Sequence, residues 1–241
     1  MPDCSFIVPV LNEAGGIELF LGALRRRYPQ AEIIVVDGGS TDDTIERATP
    51  WCDRVLAAQR GRATQMNLGG WAARGEYLFF LHADSMPGAD ADQLQSCLQA
   101  SPDWGFCRVR LSGAQPAFRL IEAAMNVRSR VTRVATGDQM LFLRASLFRS
   151  TGGYAPIPLM EDVEYSKRLR KLASPVIMEQ TVTTSSRRWE SGGILATVVR
   201  MWGLRLAFFL GASPQRLLHH YYSSRPESVR CEKASCGPGD A

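Results

Sequence analysis

Lysine is nearly missing from this 241-residue chain: Lys167, Lys171 and Lys233 are the only ones among 28 basic residues. Its cations are therefore almost all arginine, planar forks suited to bidentate contact with phosphate. No run of five like charges occurs, and a formal net charge of +4 is mild for this length. The composition gives no case for nucleic acid as a partner. The six cysteines form no Cys-x-x-Cys and no spacing with paired histidines, which excludes a zinc-finger pattern and a disulfide framework. No charged segment followed by an apolar stretch opens the chain. The best candidate for a membrane span, Ile194 to Ala212, is interrupted by Arg200 and Arg205, whereas a spanning helix needs about 20 mostly apolar residues. These features read as a soluble protein of a reducing, cytoplasmic compartment, with the inner face of the cell membrane as the alternative. With 45% hydrophobic and 22% charged residues, wholesale disorder is excluded.

What is there is an alternation of short apolar runs and helical patterns. Ser5 to Val10, Ile33 to Val36, Arg54 to Ala57 and Tyr77 to Leu81 read as strands. Between them, Ile17, Leu21 and Leu24 share a helical face, and Gly61 to Ala73 reads as another helix. Strand and helix alternating at this spacing predict an α/β fold, a mostly parallel sheet with right-handed crossovers. Beyond residue 100, strands are expected at Trp104 to Leu111 and Gln139 to Leu143, and a strand or extended loop at Thr181 to Trp189. Helices are expected at Arg119 to Val134, Met160 to Leu172, Ile194 to Leu210 and a last short stretch to Tyr222. We read residues 1–222 as one domain, with a first half of about 1–100, a second of about 101–190 and amphipathic helices over 191–222. The polar, Gly- and Pro-containing tail 223–241 reads as disordered.

In an open parallel sheet, ligands bind beyond the carboxyl ends of the strands. Polar residues follow three of the expected ends: Asn12-Glu13, Asp37-Gly-Gly-Ser-Thr and His82-Ala-Asp84. Any one of these is equally a turn or a helix cap, but three on one edge make a site. The first strand lacks Gly-x-Gly-x-x-Gly, which disfavours a dinucleotide, and no Gly-x-x-x-x-Gly-Lys-Ser/Thr occurs, which removes a P-loop.

The runs Phe6-Ile-Val-Pro-Val-Leu-Asn12-Glu13 and Ile34-Val-Val-Asp37-Gly-Gly-Ser-Thr-Asp42 resemble the opening of family 2 glycosyltransferases of GT-A fold. Leu81-His82-Ala83-Asp84 and Met160-Glu161-Asp162 fall where that family has its Asp-x-Asp and Glu-Asp motifs. The resemblance extends over roughly residues 4–190. Within the family the chain resembles a compact bacterial subgroup with His-Ala-Asp and Ser-Ser-Arg-Arg-Trp motifs, sometimes labelled arsenosugar-pathway transferases. It implies a GT-A, Rossmann-like sheet flanked by helices, with C-terminal helices added. The implied enzyme is an inverting, hexosyltransferase-type glycosyltransferase that takes a UDP- or GDP-sugar to an acceptor hydroxyl of unknown identity.

The same resemblance distributes roles residue by residue. Pro9, Asn12 and Glu13 match the loop around nucleobase and ribose, and Asp37 with Gly38 matches the second strand end that holds base or ribose. Arg62 and Gln65 match the start of a helix facing the diphosphate, with a surface arginine as the alternative. Asp84 matches the ligand of a divalent cation, manganese or magnesium. His82, which replaces the first acid of Asp-x-Asp, is either a second ligand or a ring packed against ribose. Glu161-Asp162 implies a general base, Asp162, with Glu161 orienting it or the acceptor. Helix capping is the competing reading. Thr136-Gly-Asp138-Gln139 lines the acceptor side or makes a tight turn. Ser185-Ser-Arg187-Arg188-Trp189 resembles the Gln-x-x-Arg-Trp of processive members, with Arg188 towards the diphosphate and Trp189 as an acceptor platform.

The last helices leave more open. Trp202, Leu206, Phe209 and Leu210 are apolar while Arg200, Arg205 and Arg216 are basic, a pattern that suits an anionic lipid surface or packing on the protein itself or in a homodimer. Two alternative functions follow: a membrane-surface or complex-forming protein with a decayed transferase site, or a sugar-phosphate nucleotidyltransferase. The second lacks its expected Gly-x-Gly-x-Arg loop, having Asn12-Glu13 in that place.

Overall fold

Apolar runs flanked by polar turns become the centre of one mixed sheet in the computed structural model, which describes residues 3–186 and 193–223. In chain order the elements are β1 (Cys4–Val10), α1 (Ile17–Arg27), β2 (Glu32–Asp37), α2 (Thr44–Ala48), β3 (Arg54–Ala57), α3 (Arg62–Ala72), β4 (Tyr77–Phe80) and β5 (Ser85–Pro87). There follow α4 (Ala91–Gln99), β6 (Trp104–Leu111), α5 (Pro116–Thr132), β7 (Leu141–Arg144), α6 (Ala145–Thr151), α7 (Glu161–Leu172) and β8 (Val176–Thr184). Helices α8 (Ile194–Phe209) and α9 (Pro214–Ser223) come last. The described residues fall into two units, residues 3–156 with 161–186, and residues 157–160 with 193–223. The eight strands of the first unit are ordered β3-β2-β1-β4-β7-β6-β8-β5.

The first four strands are parallel, as the alternation predicts, with Val10 opposite Asp37 and Asp37 opposite Ala57. Their carboxyl ends therefore share one edge, and the loops after β1, β2 and β4 emerge together. The second half is mixed. β7 runs antiparallel to β4, with Phe80 opposite Leu141, so the turn before β7 lies at the edge where β4 ends. β5 pairs antiparallel with β8, Ser85 opposite Thr184. The helix start expected at Ser40 or Thr41, with acidic Asp42 and Asp43 in its first turn, is α2, which begins later, with Asp43 at its N-cap. Three elements, β5, α4 and α6, have no counterpart in the sequence reading. For α4 the signal is present, because Asp90 and Gln93 form a reciprocal capping box at its start. The Arg187–Trp189 portion of the last expected strand, with Arg188, and nearly all of the 223–241 tail lie outside the described residues.

Both sheet faces are covered, which is why the central strands are apolar at successive positions. Phe6, Val8 and Val10 of β1 join Ile33, Val35, Phe79 and the α1 residues Ile17, Leu21 and Leu24 on one face. Ile7, Ile34, Val36 and Phe80 face the other way and pack with Met66, Phe148, Tyr154 and Tyr165. Helix α3 approaches this second face closely because Gly69 has no side chain. A Cβ there would lie 2.4 Å from Ile7 Cγ2 and 3.0 Å from Val36 Cγ2.

Both neighbours are fully buried, so neither gives way without disturbing the sheet. Gly69→Ala is expected to lower stability by about 1–3 kcal/mol through overpacking. The check is a lowered urea midpoint with an unchanged slope; an unaltered midpoint would show that α3 is free to retreat.

Candidate active site

The loops after β1 and β2 are stitched by side chains to backbone. Asn12 stands in the left-handed region at φ 54°, a conformation asparagine tolerates better than most residues. Its side-chain oxygen accepts from the Thr41 amide at 2.8 Å, and its own amide donates to the Ser40 hydroxyl at 2.9 Å. The Glu13 amide donates to the Thr44 hydroxyl at 2.8 Å, leaving the Glu13 side chain exposed. Asp37 is buried, and its carboxylate accepts from the Gly39 amide at 3.0 Å, the Ser40 amide at 3.0 Å and the Ser40 hydroxyl at 2.5 Å. Half-buried Pro9 lies opposite Val36 in the register, one residue before this edge. The expected donor-side residues Pro9, Asn12, Glu13, Asp37 and Gly38 thus gather at one edge of the sheet.

Helix α3 adds a clamp from below. The Gln65 amide group donates to the Val10 and Val36 carbonyls, each at 2.8 Å, joining the ends of β1 and β2. Both of its N–H donors are thereby used inside the protein. Gly38 lies against this amide; a Cβ on Gly38 would meet it at 3.0 Å. Asn67 likewise turns inward and exchanges two 2.8 Å hydrogen bonds with the Tyr154 backbone. Arg62, the first residue of α3, is exposed, and its charge reaches both His82 and Glu161.

A second cluster forms where β4 ends, β7 begins and α7 starts. The Gly137 amide donates to the Asp162 carboxylate at 2.5 Å, and the Val163 amide donates to the other Asp162 oxygen at 2.7 Å. The His82 ring lies edge-on to Gly137, where a Cβ would stand 2.4 Å from Cε1 and 2.8 Å from Nε2. His82 Nδ1 is 3.9 Å from the Asp138 carboxylate. Burial lowers the pKa of His82, the Arg62 charge lowers it further, and Asp138, Asp84 and Asp162 oppose the shift. One ring therefore senses three carboxylates, from its own loop after β4, from the turn before β7 and from the first turn of α7. Asp84 itself is exposed; the Ser85 hydroxyl is 3.0 Å from its Oδ1, and its carbonyl accepts from the Ser185 amide at 3.1 Å.

Glu161 is buried beside Asp162, and its pKa is pushed up to about 7, first by burial and then by the Asp162 charge, against the pull of Arg62. Tyr154, also buried, feels both carboxylates. Neither Gly137 nor Tyr154 was singled out by the sequence reading. Gln139 was, but it is fully buried and donates to Ser129 Oγ at 2.9 Å and the Cys107 carbonyl at 3.3 Å. Arg188 and Trp189 lie outside the described residues. Among the described residues no group of three or more His, Cys, Asp or Glu side chains is arranged to hold a metal ion.

Residues 5–100 match Glycosyl transferase family 2. The whole chain is similar to an uncharacterized glycosyltransferase of Mycobacterium tuberculosis, 28% identical over 93% of this chain and 91% of that protein. A glycosyltransferase of Mycobacterium bovis named for PGL/p-HBAD biosynthesis is 34% identical, over 34% of this chain and 36% of its own length. Among solved structures, S. aureus TarS 1–349 in complex with UDP superposes with a TM-score of 0.62 at 16% identity, covering 76% of this chain. The chain spans 60% of that TarS fragment. Glucosyl-3-phosphoglycerate synthase from M. tuberculosis, solved with Mn2+, UDP and glucosyl-3-phosphoglycerate, gives 0.55 at 20% identity, over 76% of this chain and 71% of that one. These likenesses place the fold with the GT-A glycosyltransferases.

The raised pKa of Glu161 has a signed consequence for stability. The folded chain holds this proton more tightly than the unfolded chain, whose carboxyl titrates near 4.5. The contribution is intact below that pH and is lost as pH rises through about 7. Glu161→Gln removes the loss. The variant is expected to melt higher than the parent above neutrality, by up to about 3 kcal/mol in stability, with the gap narrowing towards about pH 5. A difference independent of pH in paired thermal melts would show that Glu161 is not the titrating group.

Proposed function

We propose that this chain, whose residues 5–100 match Glycosyl transferase family 2, is a glycosyltransferase that moves a sugar from a nucleoside-diphosphate donor to an acceptor hydroxyl with inversion. The observation that supports this most is the convergence at Gly137. Asp162 is bonded to its amide, while His82 rests against it and carries the influence of Asp84, Asp138 and Asp162.

In the proposed step the acceptor oxygen attacks the anomeric carbon from the face opposite the diphosphate. The carbon–oxygen bond to the β-phosphate breaks, and the nucleoside diphosphate leaves with the electron pair. The hydroxyl proton passes to Asp162. Each Asp162 oxygen accepts one backbone amide, and a carboxylate oxygen has a second lone pair for that proton. Glu161 and Asp162 are adjacent, and like charges this close do not both ionise easily. The two amide hydrogens point at Asp162, while buried Glu161 keeps its proton up to about pH 7. This separation of two neighbouring carboxyls into a base and a neutral partner follows from their surroundings.

The donor set suits a hard divalent cation bound largely by the substrate. Asp84 offers one exposed carboxylate, and magnesium is commonly held by one or two carboxylates plus substrate phosphates. When bound, such a cation neutralises the charge of the leaving diphosphate. We assign Asp84 to hold it, and His82, with one ring nitrogen towards Asp138 and the other against Gly137, to position the Gly137–Asp138 turn. UDP with Mn2+ or Mg2+, and GDP-mannose with Mn2+, are the ligands with which proteins of similar fold were solved, so they are the first to test. Asn12, Asp37 and Gly38 are assigned to the nucleoside side and Asp138 to the acceptor side.

Adding UDP or GDP with Mn2+ or Mg2+ is expected to raise the melting temperature, and Asp84→Ala to remove the cation-dependent part of that shift. No shift with either nucleotide under any of these conditions would overturn the donor assignment. Asp162→Asn keeps an oxygen for the Gly137 amide, so it is expected to keep the nucleotide shift while lowering turnover about 10²–10⁴-fold. Undiminished turnover of the donor would remove Asp162 as the base.

A further inference from the structure

Helix α8 buries one side and leaves an apolar row exposed on the other. Thr197 and Leu204 are buried, yet Val199, Trp202, Leu206, Phe209 and Leu210 are 64%, 66%, 59%, 74% and 74% exposed. At about 100° per residue these five fall within an arc of roughly 100°, away from the buried pair. Arg200 and Arg205 flank the arc on either side. Scattered apolar residues on a surface need no explanation, but a continuous row with a tryptophan in it does. Helix α9 follows after Gly211, with Ser213 capping its start and Pro214 in its first turn, and it carries exposed Arg216.

The charges of this segment are of one sign. No aspartate or glutamate occurs between Glu190 and Glu227, while Arg200, Arg205, Arg216 and Arg225 all fall there. We propose that the exposed face of α8 lies in the plane of an anionic lipid surface, with the row from Val199 to Leu210 buried among the acyl chains near the headgroups. The Arg200 stem bordering the row would run along apolar surface and reach phosphate with its guanidinium group. Trp202 is of the type that favours the boundary between headgroups and hydrocarbon. Among the described residues no helix is long and apolar enough to cross a membrane, so the contact runs along the surface. A second copy of the chain fits the same face less well. In a two-fold interface the patch meets itself, and this segment has no carboxylate to set against its own arginines.

The test is co-sedimentation of the full chain with two kinds of vesicle, phosphatidylglycerol and phosphatidylcholine in equal parts, and phosphatidylcholine alone. The protein is expected to pellet with the first, less so as salt is raised, and to stay in solution with the second. The double variant Trp202→Glu, Leu206→Glu, altered only at exposed positions, should remain in the supernatant with an unchanged melting temperature. Arg200→Ser with Arg216→Ser, which leaves the apolar row intact, should weaken binding about 30-fold, at about 1 kcal/mol for each basic residue near the surface. Failure to pellet with the anionic vesicles overturns the proposal, as does equal pelleting with both kinds. A dimer in sedimentation velocity that Trp202→Glu, Leu206→Glu dissolves would also overturn it, assigning the face to a second copy.

Discussion

Asp162 is held in place by a hydrogen that has no side chain behind it. The Gly137 amide binds its carboxylate, and the absence of a Cβ on Gly137 is what lets the His82 ring lie alongside. This meeting follows from strand direction. β4 ends at Phe80 and β7, its antiparallel neighbour, begins at Leu141 opposite that residue. The turn leaving β4 and the turn entering β7 are therefore forced to the same edge, 137–138 against 82–84. The same rule acts a second time, since β5 and β8 are antiparallel and bring Ser185 back to the Asp84 carbonyl. A parallel β7 would have sent its entering turn to the far edge, and Asp162 would have no partner there.

The titratable groups at this edge act on one another. Asp84, Asp138 and Asp162 surround one imidazole whose protonation is opposed by its burial and by Arg62. Glu161 avoids adding a further negative charge by keeping its proton in a buried position. In the proposed function, an incoming diphosphate with its cation is close to charge-neutral as a unit, and Arg62 and Asp84 are assigned to its two parts. The protein thus avoids burying an unpaired charge of either sign, which would be far more costly than leaving Asp84 in water.

How much of this was legible in the sequence depends on whether a residue's partner is local. The runs around Phe6, Val35 and Phe79 declared themselves as strands because both faces are covered, and the polar residues at their ends marked the edge. Helix α4 was equally readable from Asp90-x-x-Gln93 and was overlooked. Strand direction was not readable: Leu141 to Leu143 looks the same run either way, and only the pairing with β4 decides. Gly137 before Asp138 reads as a turn, since the partners that give it meaning, His82 and Asp162, lie 55 and 25 residues away in the chain. Gln65 and Gln139 show the converse. A glutamine that recognises a ligand and one that ties two strands together need the same amide. Here Gln65 spends its donors on the Val10 and Val36 carbonyls, and Gln139 turns to Ser129 and Cys107.

The contrast between tied and untied oxygens separates the residues that shape the cleft from those able to take a ligand. Asp37, Asn12 and Gln65 are occupied by hydrogen bonds within the protein, so the loops after β1 and β2 are fixed before a nucleotide enters. Order already present need not be created on binding, and affinity gains accordingly. Asp84 differs: its carboxylate accepts from the neighbouring Ser85 hydroxyl and faces solvent. Asp162 is intermediate, anchored through one lone pair on each oxygen and open through the other. A carboxylate wholly satisfied by backbone would be a poor base, and one wholly free would be poorly aimed. Two amides on two different oxygens give Asp162 direction while leaving it able to accept a proton, which is the compromise the proposed displacement requires.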